Sequence, residues 1–309
     1  MICSVLSMVV TSVLFLVGVA FFIVTERKGL GMVQLRQGPN KVGLKGIVQP
    51  VSDGVKLFTK GWVYPASSNK FLFLMGPFVC FFISFMGWVL FPSSNPSYFF
   101  GFSTMFFLSL SCLNVYGVIL VGWSSNSQYA LLGCMRAVAQ SLSYELVMST
   151  VLLCPLLFFG CFELFSFRES GLVFSMISLE VGFIWFICVL AETNRAPFDF
   201  VEGESELVSG YNVEFGGFGF ALIALAEYGS ILLMSLVSFI LFFGGLCWLS
   251  LVGNMLMGLG VVLVSYIIVC VRGSYPRFRY DMLMEFCWKC LLPFSIGILV
   301  LFLGVLVWL

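Results

Sequence analysis

Histidine is absent from this 309-residue sequence, and charge is scarce, with 15 basic and 15 acidic residues and no net charge. Without imidazole, histidine-containing metal sites are excluded, and proton chemistry falls to carboxylates, tyrosine or water. Without net charge there is no electrostatic reason to expect nucleic acid as a partner, so the basic residues have to be judged by position. The first apolar run, residues 2–24, has neither a basic leading region nor a small-residue cleavage site, which predicts a permanent helix. No arginine-rich transit segment precedes it, so a protein of this kind that works in an organelle is expected to be made there. Only one close cysteine pair exists, Cys287 and Cys290 in CWKC, and without a second pair CxxC spacing is weak support for a metal or redox site.

What is present is apolar. Hydrophobic residues make up 61% of the chain, 36 of them phenylalanine, which is the composition of an integral membrane protein. Cys80, Cys112, Cys154, Cys188, Cys247 and Cys270 lie inside apolar runs and read as reduced, small hydrophobes. Runs long enough to cross a bilayer, at about 20 residues each, occupy residues 2–24, 71–91, 102–122, 137–162, 172–191, 216–243, 246–271 and 291–309. The expected fold is an all-α integral membrane protein, a single bundle of eight transmembrane helices. Eight crossings put both termini on one side. Thirteen basic residues fall in or beside the odd-numbered loops, among them Lys41, Lys45, Arg136 beside Cys134, and Arg277, whereas Arg168 falls opposite. The positive-inside rule then turns the odd loops toward the cytoplasm or the matrix. The long polar loops share that face, which is read as a docking face.

In the first loop, residues 48–60 carry Val51, Val55 and Phe58 at helical spacing, with Pro50 near the start. This predicts a short amphipathic helix, either lying in the membrane interface or covering the bundle end. RQGPNKVGLKG before it is basic and glycine-rich but lacks the GK[ST] ending of a phosphate-binding loop, so a docking turn is the better reading.

The most acidic stretch is AETNRAPFDFVEGESELVSGYNVEF, residues 191–215. It places Glu192, Asp199, Glu202, Glu204, Glu206 and Glu214 around one cation, Arg195. Such a run is either a solvated face or, bent by Pro197, Gly203 and Gly210, a segment folded back to line a polar cavity. Glu145, Glu180 and Glu227 fall inside apolar runs, near the middle of the bilayer by the rise of a helix, with no lysine or arginine at that depth. A charge there costs on the order of 3 kcal/mol, so each must be protonated, hydrated or both, and can exchange a proton. Alternatively, each is a neutral group hydrogen-bonded to a neighbouring helix. Glu145 and Glu227 adjoin Tyr144 and Tyr228, and their depth beside the acidic stretch favours a connected polar path more than it does for Glu180.

TERK (25–28), RQGPNKVG (36–43), GWSSNSQYALLGCMRAVAQSLSYE (122–145), the acidic stretch, AEY (226–228) and YPRFRYDMLM (275–284) together resemble the subunit 1 family of respiratory complex I, NADH:ubiquinone oxidoreductase. The resemblance covers nearly the whole chain and looks like a mitochondrially encoded, invertebrate member. It implies an inner-membrane subunit with both termini toward the intermembrane space. Its matrix loops would dock on the subunits of the peripheral arm that hold the quinone site and the terminal iron–sulfur cluster, beside the small subunits of the membrane arm. Ubiquinone would be the substrate, with no covalent cofactor and no metal. By motif, Arg27, Arg36, Asp53, Arg195, Phe198, Phe220 and Arg272 would line the quinone tunnel. Glu145, Glu192, Asp199, Glu202, Glu204, Glu206 and Glu227 would form the proton path. No family motif has a carboxylate at Glu180. The alternatives are the membrane anchor of a related hydrogenase-type complex and a stand-alone proton-coupled transporter, although no internal repeat is visible.

Overall fold

A computed structural model describes residues 2–92, 100–170, 173–200, 203, 208–244 and 251–308. Every regular element among the described residues is helical. In order they are α1 (Ile2–Val33), α2 (Gln49–Thr59), α3 (Lys70–Gly87), α4 (Ser103–Ser124), α5 (Gln128–Phe159), α6 (Leu164–Glu169), α7 (Leu179–Glu192), α8 (Gly217–Phe243), α9 (Leu251–Ser274), α10 (Tyr280–Glu285) and α11 (Leu292–Trp308). A π-helical turn, Phe286–Leu291, joins the last two. Seven helical stretches among the described residues are long and apolar enough to cross a membrane: Val9–Val33, Lys70–Leu90, Ser103–Ser124, Gln128–Phe159, Gly217–Phe243, Val252–Ser274 and Tyr280–Val307. The protein is an all-α membrane protein, because in hydrocarbon a backbone must satisfy its own hydrogen bonds.

The expected run 172–191 differs most from its expectation. A 3₁₀ turn, Phe174–Met176, precedes α7, which has 14 residues and spans about 21 Å. This helix can be short because it is an internal one: Trp185, Cys188, Val189 and Ala191 are buried in the main core with Tyr144 of α5 and Leu236 of α8. Glu180 is exposed in the first turn of α7, where the helix dipole favours a carboxylate.

Three other helices overrun their expected ends. α1 continues through TERK to Val33, and α5 starts at Gln128 rather than near 137, so Cys134 is a buried helical residue rather than a loop cysteine. The last helical stretch starts at Tyr280, well before 291, and carries the exposed ion pair Lys289–Glu285 at 3.1 Å on its own surface. Charged residues end an apolar run, but they do not end a helix. The helix α2 expected from the first loop forms, with Val51, Val55 and Phe58 facing outward and the Phe58 ring 5.4 Å from Phe218 of α8.

Small residues let the helices approach closely. A methyl group built on Gly76 of α3 would lie 2.9 Å from Val121 of α4, and one on Gly117 of α4 would lie 2.7 Å from the sulfur of Cys80 on α3. Between lipid-facing helices, such contacts replace the hydrophobic drive that water supplies elsewhere.

Candidate functional site

The extension of α1 turns Glu26 inward, and it is 4% exposed. Arg195 follows Asn194, which takes a left-handed φ of 50°, and this brings Arg195 to α1: its Nη1 donates to Glu26 Oε1 at 3.4 Å. Arg272, in the last turn of α9, donates to the same oxygen. The Arg195 guanidinium lies 4.5 Å from the centre of the Tyr228 ring on α8. Two arginines and a carboxylate are thus gathered where four parts of the chain meet. A buried charge is tolerated only when paired, so this cluster holds those parts in register. Arg195 was expected to serve the acids of its own stretch, yet its partner among the described residues includes an acid on α1. Sequence reasoning missed Glu26, although TERK sets it directly before two cations.

The acidic stretch folds against the bundle. Gln140 of α5 donates both amide protons inward, to the carbonyls of Ala191 at 2.8 Å and Phe198 at 3.0 Å. Phe198 is buried, its ring 6.2 Å from Tyr144 and 5.8 Å from Phe278, and the Phe278 amide donates to the Pro197 carbonyl at 3.1 Å. Asp199 accepts from Arg277 at 3.1 Å, and Gly203 sits close enough that an added methyl would lie 3.1 Å from the same guanidinium. Residues 191–200 are therefore not a solvated face. Gln140 was not singled out from sequence, where one amide in a long motif carries no special signal. Glu202, Glu204 and Glu206 lie outside the described residues.

Glu192 ends α7, is nine-tenths buried, and its Oε2 has no hydrogen-bond partner among the described residues. It lines a cavity of about 50 Å³ between α3, α4, α7 and α8, with Ser84, Ser111, Asn114, Thr193 and Ser230 among the other lining residues. Glu145, half-buried on α5, accepts from Cys112 Sγ of α4 and, at 3.4 Å, from Ser111 Oγ. Glu227, half-buried on α8, accepts from the Tyr211 hydroxyl and, at 3.4 Å, from the Asn212 amide. The turn that carries these two donors packs against α5 at Gly133, where a methyl group would lie 3.0 Å from the Tyr211 nitrogen. Carboxylates set among hydroxyls, amides and a thiol can hold and pass protons.

The remaining expected residues lie nearer the surface. Arg27 pairs with Asp53 of α2 at 2.8 Å in a partly exposed bridge that also takes the Gln49 amide at 2.8 Å. Arg36 is exposed and donates to Gln34 at 2.7 Å, and Phe220 is exposed on α8. Cys287 is buried and Cys290 exposed, so the CWKC pair diverges. Among the described residues, no group of three or more cysteine, aspartate or glutamate side chains is placed to hold a metal.

Residues 6–303 match the family model described as NADH dehydrogenase. The chain is 48% identical over 303 residues to the NADH-ubiquinone oxidoreductase chain 1 of Heterololigo bleekeri, covering 97% of this chain and 96% of that one. It is 46% identical over 292 residues to the chain of that name in Aedes aegypti, covering 94% and 92%, and 44% identical over 303 residues to that of Branchiostoma lanceolatum, covering 97% and 95%. With a match of this extent over nearly its full length, the chain belongs to the NADH dehydrogenase family, among proteins named NADH-ubiquinone oxidoreductase chain 1.

Proposed function

We propose that this chain is a core membrane subunit of respiratory complex I in the mitochondrial inner membrane. It takes ubiquinone as substrate and couples quinone reduction to proton translocation along its acidic side chains. Arg27, Arg36, Asp53, Arg195, Phe198, Phe220 and Arg272 line the passage of the quinone. Glu145, Glu192, Asp199, Glu202, Glu204, Glu206 and Glu227 carry the proton path. The odd-numbered loops face the matrix and dock on the peripheral-arm subunits that hold the quinone site and the terminal iron–sulfur cluster. Small membrane-arm subunits and lipid pack around the bundle. An eighth crossing by α7 is favoured by the course of the chain, because the Phe174 ring just before α7 lies 6.2 Å from that of Phe159 at the end of α5, and Arg195 just after α7 meets Glu26 of α1.

The observation that carries the proton path is Glu192, a nine-tenths buried carboxylate with an oxygen unpartnered among the described residues, on a largely apolar cavity that several hydroxyl groups also line, with Ser111 linking that cavity to Glu145. If Glu145 and Glu227 change charge state during turnover, Glu145→Gln and Glu227→Gln keep shape and hydrogen bonding but abolish titration. Each is expected to lower coupled quinone reduction and proton translocation by on the order of tenfold or more, measured together in the assembled complex in sealed vesicles. Near-normal values of both would overturn the proton path.

A further inference from the structure

Ser111 lines the cavity beside Glu192, and its Oγ stands between two acceptors, the Leu108 carbonyl at 2.8 Å and Glu145 Oε1 at 3.4 Å. One hydroxyl proton cannot serve both at once, so the side chain exchanges its donor between them while its lone pairs remain open to accept. Glu192, which lines the same cavity, has no partner for its Oε2 among the described residues. Ser84, Thr193 and Ser230 donate to carbonyls of their own helices at 2.9, 2.8 and 2.7 Å, which leaves acceptor lone pairs on three hydroxyls at the cavity lining. A cavity of about 50 Å³ has room for about three water molecules. Cys112, one residue beyond Ser111, donates to the same Glu145 oxygen and holds it toward α4.

We propose that Ser111 is the hydroxyl through which Glu145 joins the cavity, so that Glu192, water, Ser111 and Glu145 form one proton relay running from α7 across α4 to α5. The inference rests on the acidic path proposed above and names the side chain that bridges two of its members. In the transfer, protonated Glu192 releases its proton to a cavity water, and the excess proton passes to a water beside Ser111. Ser111 Oγ accepts that proton as its own O–H proton leaves for Glu145 Oε1. One proton leaves Glu192, one arrives on Glu145, and Ser111 ends neutral. Rotation of its new O–H toward Leu108 and back resets the relay.

The test compares Ser111→Ala, Ser111→Cys and Ser111→Thr in the assembled complex in sealed vesicles, with Glu145→Gln run beside them. Quinone reduction, proton translocation and the solvent deuterium isotope effect are read together. Ser111→Ala is expected to slow coupled turnover about tenfold and to change the isotope effect. Ser111→Cys, which keeps the size but offers only a weak donor and acceptor, is slowed in the same direction and stands in if the alanine variant does not assemble. Ser111→Thr restores turnover, which a purely structural role of the hydroxyl-bearing position would not require. If Glu145→Gln impairs turnover while the alanine and cysteine variants match the parent in rate and isotope effect, the relay is wrong and the acidic path stands. If Glu145→Gln is itself silent, both fall.

Discussion

At the scale of single residues, the buried charges divide into those that are paired and those that are not. Glu26 has two arginines, whereas Glu192 has an oxygen on a cavity with no partner among the described residues. A paired buried carboxylate is structural: removing its charge leaves Arg195, 5% exposed, and Arg272 facing a neutral group. Glu26→Gln is therefore expected to destabilise the subunit by on the order of 3 kcal/mol. Asp53→Asn, in the partly exposed bridge to Arg27, should cost less than about 1 kcal/mol. The thermal midpoint of quinone reductase activity in the assembled complex separates the two, and equal midpoints would defeat the distinction. Arg195 was legible in the sequence as a cation among acids. Glu26 was not, because nothing in TERK says that α1 continues far enough to bury one of its three charges.

At the scale of elements, helix contacts are set by close approach at small residues. α3 and α4 meet where Gly117 faces Cys80, and a methyl group on Gly117 would press to 2.7 Å against sulfur but only to 3.5 Å against the Cys80 Cα. Gly117→Ala is expected to cost about 1–3 kcal/mol by overpacking, and adding Cys80→Ala should recover most of the loss, a coupling that a double-mutant cycle on the same thermal midpoint measures. Gly18→Ala, with nothing within 4 Å of the new methyl, serves as the silent control. If Gly117→Ala behaves like Gly18→Ala, the helices are free to part and the contact is not specific. Helix existence was legible from all eight apolar runs, and the ends of α4 and α8 fall within two residues of expectation, whereas those of α1, α5 and the last helical stretch do not. α1, α5 and the α10–α11 stretch each continue past the first charged residues, since a helix outside hydrocarbon tolerates charges on its surface.

At the scale of the whole molecule, the distribution of basic residues predicts an orientation. Ser170, exposed after α6, should face the intermembrane space, and Leu35, exposed after α1, should face the matrix. A membrane-impermeant maleimide is expected to label Ser170→Cys in mitoplasts and to leave Leu35→Cys unlabelled until the vesicles are inverted. The reverse pattern would turn the topology over. Cys134, which the sequence places in a loop, is buried within α5 and makes a poor reporter.

By itself the sequence determined the membrane class, the family and the types of group available for chemistry, because hydropathy, composition and motif are properties of the chain read in order. Only the tertiary structure decided which acids are paired and which are not. Glu26 and Arg195 are 169 residues apart and Glu26 and Arg272 are 246 apart, yet they meet in one cluster. Ser111 and Glu145 meet only because α4 packs on α5, and Glu180 falls in the first turn of a helix because α7 begins only at Leu179. Charge pairing depends on distance in space and on burial, and neither is written in the spacing of residues along a run whose helices end where packing, not hydropathy, stops them.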